Sequence, residues 1–141
     1  ANIYGIQGDF TDETGHVLPA LIRRALEKQT PYVVWGNPDV VRDFTHSVDM
    51  ARACLDVVEK YAVCDPINIA SGNLVTIGQS VDLILKHADH DVKPQYDETK
   101  PVTIQYRALD TSKAKEVIGY EPTISFEDGI KETVEWIKEN M

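Results

Sequence analysis

Helical periodicity opens the readable part of the chain. In "HVLPALIRRALEK" (16–28), Val17, Leu18, Leu21, Ile22, Ala25 and Leu26 recur at helical spacing. Pro19 belongs in the first turn, where its missing N–H would have had no partner, so His16 or Val17 is the expected N-cap. "PYVVWG" (31–36) reads as a buried strand closed by the turn "GNPD", and "VVRDFTH" (40–46) as a second extended piece. Ser47 then caps a helix over "SVDMARACLDVVEKYA", with Asp49 in its first turn and Val48, Ala51, Leu55 and Val58 on one face. "PINIA" (66–70) reads as another strand. Thr76 and Gln79 form a capping box for a helix reaching about His87. "VKPQYD" (92–97) reads as extended, and 98–110 as loop with a short strand. "TSKAKEVIG" (111–119) is a short helix stopped by Gly119. Ser125, paired with Asp128, starts the last helix, whose stripe is Phe126, Ile130, Val134 and Ile137. The pattern is a small α/β domain occupying residues 1–141, without the regular strand-and-crossover series of a complete doubly wound nucleotide-binding fold.

Composition narrows the function classes. The chain has 141 residues, 43% of them apolar and 26% charged, with a formal net charge of −9. That is ordinary globular composition, and the acidity argues against nucleic acid and anionic membrane surfaces as partners. The sequence shows no membrane-length apolar run and no leader pattern, so a soluble, cytoplasmic protein is expected. Two cysteines do not make a disulfide scaffold, and Cys54, within an apolar helical pattern, reads as a small core residue. His87 and His90 stand three apart, a spacing that suits a solvated helix end better than a metal site, so no metal is expected.

The net charge makes the arginines conspicuous. There are five: Arg23, Arg24, Arg42, Arg52 and Arg107. On a wheel of about 100° per residue, Arg23 and Arg24 fall within about 80° of His16, away from the apolar side of their helix. They lie roughly 10–12 Å further along it, about the reach from a sugar to the diphosphate of a nucleotide sugar. A guanidinium fork suits phosphate, and a neutral imidazole still has one N–H to donate to a sugar hydroxyl or carbonyl. A solvated helix face would carry the same residue types.

The segments "ANIYG", "HVLPALIRR", "VVWGNPDVVRDFTHSVDMA", "INIASGNLVTI", "YRALDTSKAKEVIGYEP" and "SFEDGIKETVEWI", in that order, resemble the C-terminal half of the extended short-chain dehydrogenase/reductases. These are the NAD(P)-dependent epimerases, dehydratases and reductases of nucleotide sugars, and the resemblance is nearest to the branch handling GDP-linked deoxysugars. It covers essentially the whole chain and is weakest over 84–99. The resemblance implies a small mixed α/β substrate-binding domain without the Rossmann cofactor domain. It implies that Asn2 lies at the sugar end of the cleft and that His16 is the acid in epimerisation. Arg24 and Arg42 would contact the diphosphate, Trp35 the nucleotide, and Arg107 would take the place of a basic residue that is usually lysine in that branch.

Two parts of the family chemistry do not read convincingly. "GIQGDFT" offers Gly5 and Gly8 but Thr11 in the third place of the cofactor turn, with no strand predicted before it. "YDETK" places Tyr96 and Lys100 at the spacing of a catalytic Tyr-x-x-x-Lys pair, but between two prolines rather than on a long helix. Lys100 is left as a possible phosphate contact. The expectation is therefore half an enzyme: no cofactor held by this chain alone, NADP or NAD used by the full-length family, and a GDP-sugar favoured as ligand. A missing N-terminal cofactor domain is the implied partner, and a homodimer is possible. A stand-alone nucleotide-binding module and a dimerising structural fragment remain open alternatives.

Overall fold

A computed structural model describes residues 1–6, 8, 16–100 and 104–140. Its elements run β1 (Asn2–Tyr4), α1 (Val17–Leu26), β2 (Val33–Trp35), β3 (Val41–His46), α2 (Ser47–Lys60), β4 (Leu74–Thr76), α3 (Ile77–His87), β5 (Gln95–Asp97), α4 (Ser112–Ile118) and α5 (Phe126–Asn140). The strands form a mixed three-stranded sheet, β1–β3–β4, and a separate parallel pair, β2–β5. β1 runs parallel to β3 with Asn2 opposite Phe44, and β4 runs antiparallel with Val41 opposite Thr76.

The helix ends follow local chemistry. His16 is the N-cap of α1 and Pro19 sits in its first turn. Thr76 and Gln79 exchange the two capping-box bonds of α3, at 3.0 and 2.8 Å. Gly119 ends α4 in the left-handed region, φ 68°, which glycine enters without steric cost. Ser125 Oγ accepts from the Asp128 N–H at 3.1 Å at the start of α5.

Two cores lie on opposite faces of the three-stranded sheet. Alternation along β3 turns Arg42, Phe44 and His46 to one face and Asp43 and Thr45 to the other. The larger core joins Phe44 and Tyr4 to Leu18, Leu21, Ile22 and Ala25 of α1, Val81 and Ile84 of α3, and Ile130, Val134 and Ile137 of α5. Burying each Leu or Ile side chain contributes about 1.5–3 kcal/mol. The smaller core, beside Asp43, joins Ala53 of α2 to Ala114, Ile118 and Tyr120.

Several expectations need correction. α2 begins at its supposed cap, one residue earlier than expected: His46, not Ser47, is the N-cap, and its Nδ1 accepts from the Val48 N–H at 3.4 Å. The apolar stripe of α2 faces outward, with Leu55 66% and Val58 70% exposed, and Val48 is exposed as well. α2 buries Asp49 and Ala53 instead, because the Asp49 carboxylate is drawn inward by the N–H groups of Thr123 and Ile124, each 3.0–3.1 Å away. Cys54 turns outward with that stripe and is exposed rather than a core residue. Residues 66–70 form no strand; the N–H of Ser71, next in the chain, is taken by the side chains of Asp43 and Thr45. A strand, β1, does precede Gly5. His90 is not merely solvated: its Nε2 lies 3.0 Å from the Gln29 carbonyl oxygen.

Candidate functional site

A cavity of about 290 Å³ opens between β1, the start of α1 and β3, lined by Asn2, Tyr4, His16, Pro19, Arg42 and Phe44 among others. Parallel pairing explains the gathering. The register sets Asn2 beside Phe44, so Asn2, Arg42 and Phe44 come from one sheet face, and the exposed N-cap of α1 delivers His16 to the rim.

Arg42 sits at this cavity and is half-buried. Its Nη1 donates to the Val41 carbonyl at 2.7 Å. Beyond β3, residues 105–107 form a short parallel pairing with Val41: the Val41 N–H donates to the Gln105 carbonyl at 2.9 Å, and the Arg107 N–H to the Val41 carbonyl at 3.1 Å. This brings the charge of Arg107 within electrostatic range of Arg42. Burial, and then the positive charge of Arg107, pull the Arg42 guanidinium below its ordinary value. It stays protonated near neutrality all the same. Among the described residues no carboxylate forms an ion pair with Arg42 or Arg107. Asp43, next to Arg42 in sequence, turns to the opposite sheet face and accepts from Ser71 N, Ser71 Oγ and Gly72 N at 2.6–3.1 Å.

Trp35 ends β2 and is 69% exposed, so it is free of the core. The Lys100 ammonium stands 5.3 Å from its ring centroid, a cation–π arrangement. Their partnership follows from the β2–β5 register, with Trp35 opposite Asp97 and the Lys100 N–H donating to the Asp97 carbonyl at 3.3 Å. The side-chain amides of Asn37 and Gln105, 3.4 Å apart, join this end of β2 to the segment carrying Arg107.

Arg24 is placed elsewhere. Its Nη1 donates to the Val33 carbonyl at 2.8 Å and its Nε to the Ala20 carbonyl at 3.2 Å, so it ties α1 to β2, and it does not line the cavity. Arg23 lies 3.7 Å from Glu27. Of the helix read as one catalytic face, only the N-terminal end reaches the cavity.

The two segments compared with the cofactor turn and the catalytic pair have local structural accounts. Gly5 packs so closely on Ser47 and His46 that a side chain there would collide, which accounts for the glycine without a ligand. Thr11 lies outside the described residues. Tyr96 is on β5, not on a helix, and burial, then Asp82, hold its phenol above the ordinary value, the opposite of what an active phenolate needs. Tyr4, at the cavity, is likewise raised, by burial first and then by Asp49, Glu132 and Asp128. No group of three or more metal-ligating side chains occurs among the described residues, and none of their helices is long and apolar enough to cross a membrane.

Sequence reasoning passed over Asp43 and Asp49 as anchors. Both are buried carboxylates that hold loops by their backbone N–H groups. An acidic residue inside an apolar run was the available sign.

Known proteins share this sequence pattern and fold. Residues 1–70 match the NAD dependent epimerase/dehydratase family. A putative GDP-L-fucose synthase 2 of Arabidopsis thaliana is 36% identical over 144 residues, spanning 99% of this chain and 44% of the relative. The UDP-glucose 4-epimerase of Thermotoga maritima, solved with UDP-glucose, superposes with a TM-score of 0.89 at 32% identity, over 99% of this chain and 44% of that one. The GDP-L-fucose synthetase of Naegleria fowleri, solved with NADP, gives 0.91 at 29% identity, over 99% and 45%. The chain spans under half the length of these relatives, and over that span it is similar in sequence and fold to the NAD-dependent epimerases and dehydratases of the extended short-chain dehydrogenase/reductases.

Proposed function

We propose that this chain is the substrate-binding portion of a nucleotide-sugar epimerase/reductase, that its ligand is a GDP-linked sugar, and that it has no turnover alone. The observation that carries the reading is the approach of Arg107 to Arg42 with no ion-pairing carboxylate among the described residues, beside a cavity lined by Asn2 and His16. Two adjacent guanidiniums repel unless an anion sits between them, and their planar forks suit phosphate oxygens. The diphosphate bridges this pair. The sugar lies toward Asn2 and His16, where His16 donates a proton from its ring N–H. The base stacks at Trp35, with Lys100 over that ring supplying a further positive charge to the nucleotide end. Arg24 acts indirectly, by holding the strand that carries Trp35. No hydride step is assigned to the residues of this chain.

Titration calorimetry with GDP, GDP-mannose and NADPH tests the proposal. Both guanosine nucleotides bind, NADPH does not, and Arg42→Ala weakens GDP by about 2 kcal/mol, the scale of a lost charged hydrogen bond. Absence of GDP binding at millimolar concentration would overturn it. Turnover appearing when a cofactor-binding portion is supplied supports the enzymatic role; its failure to appear with nucleotide binding intact leaves a binding module.

A further inference from the structure

The side-chain amides of Asn37 and Gln105 face each other reciprocally. Asn37 Nδ2 donates to Gln105 Oε1 and Gln105 Nε2 donates to Asn37 Oδ1, both at 3.4 Å. Those bonds are long for N–H···O contacts, so the pair opens at little cost. Asn37 is the better fixed of the two. Its Oδ1 also accepts from the Asp39 N–H at 3.0 Å, and a backbone N–H can only donate. With Oδ1 anchored there the amide cannot turn over, and Nδ2 is what it offers to a ligand. Gln105 is exposed and carries both an acceptor and a donor.

The pair joins the two segments to which the nucleotide has been assigned. Asn37 follows Trp35 by two residues, across Gly36, whose φ of 88° turns the chain at the end of β2. Gln105 precedes Arg107 by two residues in the segment that pairs with Val41. On extended backbone their side chains leave the same side, roughly 6–7 Å apart, a spacing that suits a ribose between phosphate and base. A base stacked on Trp35 has its face covered and its hydrogen-bonding edge still to be met, and these amides adjoin that ring.

We infer that Asn37 and Gln105 part on binding and read the edge of the base, selecting one with a carbonyl oxygen beside a ring N–H, as in guanine, against the amino edge of adenine. Asn37 Nδ2 donates to the carbonyl, and Gln105 Oε1 accepts from the ring N–H. Adenine sets an amino group against Asn37 Nδ2 and a bare ring nitrogen against Gln105 Oε1, so each contact meets its like. Gln105 alone would not discriminate, because a free glutamine amide turns over and pairs with adenine readily. The anchored Oδ1 of Asn37 forbids that exchange. Selection then comes from the polar groups that the wrong base leaves unpaired. This inference rests on the reading of the cleft as a nucleotide-sugar site.

Calorimetry on the 141-residue chain with GDP, UDP, ADP and pyrophosphate tests it. The parent is expected to bind GDP about tenfold or more tighter than ADP. Asn37→Asp keeps the oxygen that the Asp39 N–H needs and exchanges the donor for an acceptor. Its GDP-to-ADP ratio should fall about tenfold, whatever the added charge costs both ligands. Gln105→Leu should lower the ratio severalfold and leave pyrophosphate affinity close to the parent's. Urea midpoints near the parent's establish that both variants fold. A parent that binds GDP and ADP alike, or folded variants that keep its ratio, would overturn the inference, while pyrophosphate binding in the same series leaves the functional reading standing. Uracil shares the carbonyl and ring N–H edge, so a preference for UDP over GDP that Asn37→Asp removes supports the inference and assigns the base as uracil. If neither nucleotides nor pyrophosphate bind, the functional reading fails and this inference falls with it.

Discussion

The backbone N–H of Arg107 donates to the carbonyl of Val41 at 3.1 Å, and that bond brings the positive charge of Arg107 within electrostatic range of the Arg42 guanidinium. Sixty-five positions separate the two arginines in sequence, and only the short pairing of 105–107 with the start of β3 unites them. The two like charges repel, so the diphosphate proposed to bind there would gain both from its own hydrogen bonds and from relieving that repulsion.

Arg107→Lys should separate charge from geometry. It keeps the positive charge and loses the fork. GDP affinity is expected to fall severalfold, and Arg107→Ala to lower it further while weakening its salt dependence. Calorimetry at two ionic strengths measures both. Equal affinity in all three proteins would remove Arg107 from the site.

Trp35 should report binding directly. Its ring is mainly exposed, whereas Trp136 packs against the larger core. GDP is expected to quench the tryptophan emission of the parent and to leave Trp35→Phe unchanged in emission. The urea midpoint of that variant should match the parent. Undiminished quenching in the variant would place the base elsewhere.

Gly129→Ala should destabilise, although alanine in a helix interior ordinarily gains about 0.5–1 kcal/mol over glycine. In α5 the added methyl would overlap the Tyr4 hydroxyl and press on the His46 ring. Overpacking of this kind costs about 1–3 kcal/mol, read as a fall in the urea midpoint. A rise in the midpoint would show that Tyr4 swings aside freely.

Asp49 should make stability fall in acid. Burial by itself would raise its carboxyl pKa, but the Ile124 N–H, the Thr123 hydroxyl and N–H, and Arg52 together hold it below the ordinary value. A carboxylate depressed in the folded state contributes its full stabilisation above its unfolded pKa of about 3.9. That contribution is lost as pH falls from there through the folded value. Urea midpoints at pH 7 and pH 3 should therefore converge in Asp49→Asn more than in the parent. An equal acid dependence in both proteins would assign the acid sensitivity to other carboxylates.

Asp43→Ala should cost about 3 kcal/mol, since three donors in the 71–72 turn lose their acceptor. The loss is expected in the urea midpoint with the slope unchanged. A shift of less than about 0.5 kcal/mol, the scale of an ordinary surface change, would mean that the turn is held by other means.

Local chemistry was legible along the chain. The capping box at Thr76 and Gln79, the glycine stop at Gly119, the proline-marked start of α1 and the stripes of α1 and α5 each depend on residues within a few positions of one another, and each element formed where those residues stand. The segments that carry the family resemblance were equally readable, because their order in sequence is itself the observation. The face that α2 buries was decided elsewhere: its apolar periodicity pointed one way, while two backbone N–H groups at 123 and 124 drew Asp49, and the helix with it, the other way. Arg24 shares the exposed side of an ideal wheel with His16, yet the carbonyl of Val33 claims it. Periodicity describes a helix alone. Which guanidinium lines the cavity, which meets a carbonyl, and which stripe faces outward depend on strands and loops distant in sequence, and only the tertiary structure brings those within reach.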